Sequence, residues 1–235
     1  MKNWFDEPVA ARYDDSTGAY FDPATIDATA DFLADLAAGG AVLELGIGTG
    51  RIALPLAARG VRVHGIDLSE PMVARLRAKP GGDEIPVAMG DFATTKVEGT
   101  FTLGYVVFNT INNLTTQDAQ VACFENVAAH LEPGGCFAVE VGVPNTRPFE
   151  VFDVSDTHVG VDELDFATQR FVSHHFVLVD GRWERISMPF RSVSPAELDL
   201  MARIAGMTLR ERWSDWKRAP FTSDSTKHIS VWEKQ

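Results

Sequence analysis

A chain of 235 residues with 45% hydrophobic side chains carries enough apolar material to bury a full core as a single domain, residues 1–235, and is not a disordered sequence. Its formal net charge of −12, with only 21 Lys and Arg and no basic run, argues against a nucleic-acid partner, because holding a polyphosphate depends on clustered cations that release counterions. Two isolated cysteines, no signal-like N-terminus and no apolar run near the ~18 residues of a membrane span leave neither a disulfide scaffold nor a membrane partner, so a cytoplasmic location is expected.

Taken in chain order, short apolar β-branched runs alternate with amphipathic segments. The first segment, "DPATIDATADFLADLAAGG", has Asp22 as a cap, Pro23 in its first turn, Ile26, Leu33 and Leu36 on one stripe, and Gly39-Gly40 as a stop. Strands are expected at 41–45, 61–66, 85–89, 104–109 and 136–141, each apolar on both faces as in a buried parallel sheet. Between them, "SEPMVARLRAK" starts a helix at Ser69. Pro55 should bend or open the helix after the glycines, and Val121, Phe124, Val127, Ala128 and Leu131 recur at helical spacing before a Pro-Gly-Gly turn. This alternation predicts a doubly wound α/β fold.

The rhythm breaks after about Pro144. Asp180-Gly181 between two strand-like runs predicts an antiparallel hairpin, 168–179 against 182–191, within an inserted segment, 144–192. "SPAELDLMARIAGM" then restores a helix, with Ser194 and Glu197 as a capping box, and strands at 208–213 and 228–233 close the chain.

The motif that carries chemistry is "VLELGIGTGRIALPLAARGVRVHGIDLSE", residues 42–70. A dinucleotide fingerprint reads G-x-G-x-x-G, and its third glycine lets the helix pack beside a pyrophosphate. Gly46, Gly48 and Gly50 give G-x-G-x-G instead, with Arg51 where the last glycine is wanted. The tight turn remains while the pyrophosphate seat is lost. Asp67 ends the second strand, where a carboxylate accepts from both hydroxyls of a ribose. In "VAMGDF", Asp91 is placed to accept from an exocyclic amine and Phe92 to lie beside a purine. With Glu44, these acids sit at the carboxyl edge of three successive strands. An adenosine with an amino-acid tail and a positive sulfur fits such an acidic, phosphate-free edge, which describes S-adenosylmethionine.

On "VLELGIGTG", "GIDLSEPM", "MGDF", "VVFNTINNL" and "LEPGGCFAVEV", the chain resembles the class I S-adenosylmethionine-dependent methyltransferases of small-molecule type over roughly residues 10–142. The resemblance implies a Rossmann-like, mostly parallel seven-stranded sheet with 228–233 inserted antiparallel between the fifth strand and 208–213. It also implies a cofactor lining of Tyr13, Glu44, Gly46, Ile47, Gly48, Gly50, Asp67, Leu68, Met72, Gly90, Asp91, Phe92 and Phe108. "YDDSTGAY", residues 13–20, resembles the segment that such members fold over the cofactor, which would bring Tyr13 to the methionyl carboxylate. Absent motifs narrow the family: Asn109-Thr110-Ile111-Asn112 lacks the Pro-Pro clamp of amide and base-amine methylases, neither Cys123 nor Cys136 is placed as a cytosine-type nucleophile, and no carboxylate cluster near residue 140 suggests a metal.

Methyl transfer by direct displacement needs an aligned nucleophile, a dry pocket, and a base only if the acceptor is protonated. Glu140, inside an apolar strand, is either a candidate to face the transferred methyl or a paired buried acid. His174 and His175 point to opposite faces of one strand, so at most one enters a given cavity as a base. Tyr20, Asn109, Asn112 and Arg191 are the polar residues expected to face a small acceptor beneath the 144–192 segment, which acts as a lid or, alternatively, extends a homodimer interface. The other reading of an intact cofactor site is a sensor or assembly protein without transferase activity.

Overall fold

Why the chain divides into two sheets follows from where its apolar runs are two-sided and where they are not. The protein is described by a computed structural model over residues 3–15, 19–144 and 147–235. Its strands are β1 (Ala41–Leu45), β2 (Arg62–Asp67), β3 (Val87–Met89), β4 (Phe101–Val106), β5 (Leu131–Gly142), β6 (Phe149–Val154), β7 (His158–Asp165), β8 (Arg170–Val179), β9 (Arg182–Arg191), β10 (Met207–Trp213) and β11 (Lys227–Lys234). The helices are α1 (Glu7–Arg12), α2 (Pro23–Ala37), α3 (Ala53–Ala58), α4 (Glu70–Arg77), α5 (Gln117–His130) and α6 (Pro195–Ile204).

Seven strands form one sheet in the order β10-β11-β5-β4-β1-β2-β3. Strands β1 to β5 pair in parallel, and β11 runs antiparallel between β5 and β10, the order that the resemblance implies. Alternate side chains feed two cores. Leu43, Leu45, Val139 and Trp232 pack under Phe124 and Val127 of α5 and Leu198 and Met201 of α6. Val42, Tyr105, Ala138 and Val231 pack on the other face under Phe32 and Leu33 of α2 and Leu56 of α3. Helices on both faces make the sheet doubly wound.

The caps are local and legible. Asp22, Ser69, Thr116 and Ser194 each accept from a backbone N–H three residues on, which fixes where α2, α4, α5 and α6 begin. The helix after the glycines starts only at Ala53, so Pro55 falls in its first turn, where its missing N–H costs nothing. The capping box at Ser194 is half formed. Glu197 gives its backbone N–H to Ser194, but its carboxylate turns to Arg191, Gln117 and Gln169.

The remaining four strands form an antiparallel sheet in the order β6-β7-β8-β9. The expected hairpin is there as β8 and β9, turning at Asp180 and Gly181, both at positive φ (49° and 76°). Strands β6 and β7 widen it. Among the described residues no helix packs broadly on this sheet, and its strands are mostly half-buried or exposed. Strand β9 packs on the turn at residues 110–113.

Candidate active site

A cavity opens at the carboxyl edge of the large sheet, walled by the loops after β1, β2, β3 and β4 and roofed by Asn3, Trp4, Phe5 and Tyr13. The glycine loop forms its floor. Gly46, Gly48 and Gly50 all adopt positive φ (70°, 56° and 78°), which favours glycine. A Cβ on Gly46 would lie 2.7 Å from the Thr110 methyl, and one on Gly48 3.3 Å from the Met72 methyl. Gly46 and Gly48 therefore line the cavity with bare backbone, on either side of Ile47. Gly50 does not line it: its Cβ would meet Leu76 of α4 at 2.3 Å, so its smallness serves packing.

Three acids stand at successive strand ends around this floor. Asp67 is 8% exposed; its two oxygens each accept one backbone N–H, from Gly48 and Ser69, both at 2.7 Å. Two carboxylate oxygens offer about four lone-pair sites, so acceptor capacity remains. Burial raises the Asp67 pKa, against the lowering by the backbone N–H groups of Ser69, Gly48 and Leu68. Asp91 accepts from Ala93 N at 2.9 Å and lines the cavity with Phe92, Leu68 and Met72. Gly90 stands outside; its φ of 152° and a Cβ position 2.2 Å from the Thr95 hydroxyl make it a turn residue. Glu44 accepts from the Tyr105 hydroxyl at 2.8 Å, and burial pushes its pKa up to about 8 despite that bond and the nearby Arg51 charge.

Phe108 and Asn109 close the fourth wall with two consecutive positive φ values, 56° and 62°, a strained pair for residues with side chains. Glu140 explains how they are held. Its Oε2 accepts from Phe108 N (3.2 Å), and its Oε1 from Lys227 Nζ (2.8 Å) and Trp216 Nε1 (3.2 Å). It is a satisfied buried acid and does not line the cavity.

Other expected residues are likewise placed elsewhere. Asn109 takes the Gly142 N–H on its side-chain oxygen at 2.7 Å, pinning the end of β5. Asn112, within the 110–113 turn, is buried, with no partner for its side-chain oxygen among the described residues, and stands outside the cavity lining. Tyr20 stands edge-on to Phe108 at 5.1 Å, beside the cavity and not in its lining. Arg191 corrects the acceptor assignment most clearly. It is 4% exposed and bonded to Glu197 and Gln169, both at 2.6 Å, and to Gln120, locking β9 onto α5 and α6. His174 and His175 do face opposite ways, and neither lines the cavity: His174 meets Ser187 (2.8 Å), and His175 meets His158 (3.0 Å) and Ser173 (3.3 Å).

Sequence reasoning passed over Arg51, which lines the cavity, and the roof residues Trp4 and Phe5. The signal for Arg51 was its place directly after the glycines. Thr110 and Asn113, rather than Asn109 and Asn112, present the 110–113 turn to the cavity. Among the described residues, no group of three or more His, Cys, Asp or Glu side chains is arranged to hold a metal, and no helix is long and apolar enough to cross a membrane.

A seven-stranded doubly wound sheet with an acid-ringed cavity on a glycine loop defines a nucleoside-binding α/β protein, and comparison with known proteins says of which kind. The family described as "Methyltransferase domain" matches residues 42–135. The CcbJ methyltransferase from Streptomyces caelestis is 36% identical, with 98% of this chain and 97% of that chain covered at a TM-score of 0.88. The cypemycin N-terminal methyltransferase of a Streptomyces species is 29% identical over 208 residues, 84% of each chain. The fold alone is shared with S-adenosylmethionine-bound CalS10, an amino pentose methyltransferase from Micromonospora echinaspora, at 19% identity, full coverage of both chains and a TM-score of 0.69. The chain belongs to the class I S-adenosylmethionine-dependent methyltransferases. It is an enzyme whose cofactor is S-adenosylmethionine.

Proposed function

We propose that the enzyme methylates a nitrogen of a small molecule, with the cofactor held in the cavity described above. The observation that carries this is the lining itself: three acids at strand ends, bare glycine backbone, a cover of N-terminal residues and, among the described residues, no lysine or histidine. In this reading Asp67 takes the ribose hydroxyls on its free lone pairs, Asp91 the adenine amine, and Phe92, Leu68 and Met72 the faces of the base. Glu44 sits under the tail, where a cationic amine would favour its ionised form.

Bound there, S-adenosylmethionine supplies a methyl group already activated by a positive sulfur. The chain's own task is alignment and exclusion of water. Among the described residues, no histidine, lysine or cysteine lines the cavity, and Glu140, His174 and His175 are occupied elsewhere. An alcohol would need a base to become a nucleophile, whereas a free amine brings its own lone pair. The reading accords with one relative, the cypemycin N-terminal methyltransferase of a Streptomyces species.

The four-stranded sheet would then cover the acceptor side, because β9 packs on the 110–113 turn whose Thr110 and Asn113 line the cavity. The test is direct. Incubation with S-adenosylmethionine and a panel of small amines and matched alcohols, read by S-adenosylhomocysteine release and product mass, should give a product one methyl heavier from an amine. Turnover of alcohols only, or of nucleic acid only, would overturn the proposal.

A further inference from the structure

On the four-stranded sheet a row of polar side chains crosses three strands on one face and ends on an unused acceptor. At the outer end Asp153 of β6 meets His158 Nδ1 at 2.5 Å, and His158 Nε2 meets His175 Nδ1 of β8 at 3.0 Å. His175 Nε2 lies 3.3 Å from the Ser173 hydroxyl, which in turn bonds Asp162 of β7. One assignment of protons serves every member: a doubly protonated His158 donates both ways, His175 donates to Ser173, and Ser173 donates to Asp162. The row spends a single donor on Asp162. Its other oxygen, Oδ1, is buried with no partner among the described residues.

A buried carboxylate oxygen without a donor is costly, and its surroundings select what would satisfy it. Burial raises the Asp162 pKa, opposed by the Ser173 bond and helped by Glu150, its cross-strand neighbour on β6. By strand alternation the same face carries Leu164, Phe171, Met188 and Phe190. An organic ammonium ion matches both features, with an N–H for the oxygen and carbon for the apolar strip.

Strand β9 sets where this face looks. Arg191 points into α5 and α6, where it bonds Gln120 and Glu197. Met188, three residues earlier, pairs with Ser173, which pairs with Asp162, so all three face away from those helices. They lie about 10 Å along the strand from Arg191. At this root β9 packs on the 110–113 turn, whose Thr110 and Asn113 line the cofactor cavity. The unused oxygen is thus at the cavity end of the row, and Asp153 at the far end.

We propose that Asp162 anchors the acceptor through an ammonium group, with the acceptor's carbon skeleton along Met188 and Phe190, an assignment that rests on the amine reading above. Asp162 selects the acceptor and takes no part in the transfer. Ser173, His175 and His158 hold its carboxylate in place.

Calorimetry on the protein loaded with S-adenosylhomocysteine tests this. The probes are benzylamine, hexylamine and glucosamine, each against its neutral counterpart, benzyl alcohol, hexanol and glucose. The unaltered protein should prefer the amines by about 10- to 150-fold, the range for hydrogen bonds to charged groups. Asp162→Asn should bring that ratio within about threefold of unity, and Ser173→Ala, which keeps the charge, should retain an intermediate ratio. Both variants should bind S-adenosylhomocysteine as the unaltered protein does, which shows that they are folded. Where a probe amine is methylated, Asp162→Asn should raise its KM by the same factor with kcat within about twofold. An amine preference absent from the unaltered protein, or surviving in Asp162→Asn, would overturn the Asp162 assignment alone. Methylation of the alcohols and of none of the amines would overturn the amine reading and this assignment with it.

Discussion

The two sheets are built from similar residues and held by different means. In the seven-stranded sheet the central strands are covered by helices on both faces, and aromatic side chains such as Trp232, Phe137 and Phe124 are wholly buried. In the four-stranded sheet no helix among the described residues packs broadly on either face, and Trp183, Phe149, Phe152 and Val154 are exposed by 45% or more. Its order comes from strand pairing and from polar ties, such as Arg191 to Glu197 at its root and Asp153–His158–His175 across three strands. The comparison teaches that packing fixes the cofactor cavity, whereas the sheet proposed to cover the acceptor is free to vary.

The strongest way to break this contrast is truncation of one tryptophan in each sheet. Trp232→Ala should cost about 3–5 kcal/mol, the usual range for removing a buried large aromatic, while Trp183→Ala should stay within about 1 kcal/mol. Urea denaturation of both variants decides it, and equal losses would sink the distinction. Nearly as large is the effect expected at Glu140. Glu140→Ala strips the partner from Lys227, Trp216 and the Phe108 N–H, and should cost about 3 kcal/mol of stability, the low end for breaking a buried ion pair. It should also weaken cofactor binding, since Phe108 lines the cavity; unchanged binding in a folded variant would remove its positioning role.

Binding sharpens the comparison further. Asp67→Ala should lower S-adenosylhomocysteine affinity by about 1.5–3 kcal/mol, whereas His175→Ala and Phe152→Ala in the small sheet should leave that affinity unchanged and alter only the acceptor KM. Calorimetry and steady-state kinetics read the two arms. A smaller effect is expected from pH. Glu44 titrates from an ordinary 4.5 up to about 8 in the folded protein, so between those values the unfolded chain has lost a proton that the folded one keeps. Stability of the ligand-free protein must therefore fall as pH rises through that window. Glu44→Gln should flatten the slope of unfolding midpoint against pH; an unaltered slope would clear Glu44 of the effect.

Much of this was legible because it is local. The caps at Asp22, Ser69 and Thr116, the Asp-Gly turn and the glycine loop are each set within a few residues, and strand ends bearing Glu44, Asp67 and Asp91 follow from a parallel sheet. What failed was long-range. Periodicity says that Arg191 and Glu140 sit on strands but not what meets them, and their partners, Glu197 and Gln120 for the one, Lys227 and Trp216 for the other, come from distant segments. Strands β6 and β7 lack the turn chemistry that marks β8 and β9. Arg51 directly follows the glycines, but its place in the cavity depends on Phe21 and Phe108, which come from distant segments.

The measurement that tests the central claim most directly is an experimental structure with S-adenosylhomocysteine bound. The ribose hydroxyls should lie about 3 Å from the Asp67 carboxylate, with the adenine beside Asp91 and Phe92 and the sulfur facing the wall formed by Phe108 and Thr110. A nucleoside seated away from Asp67, or outside the roof made by Trp4, Phe5 and Tyr13, would contradict it.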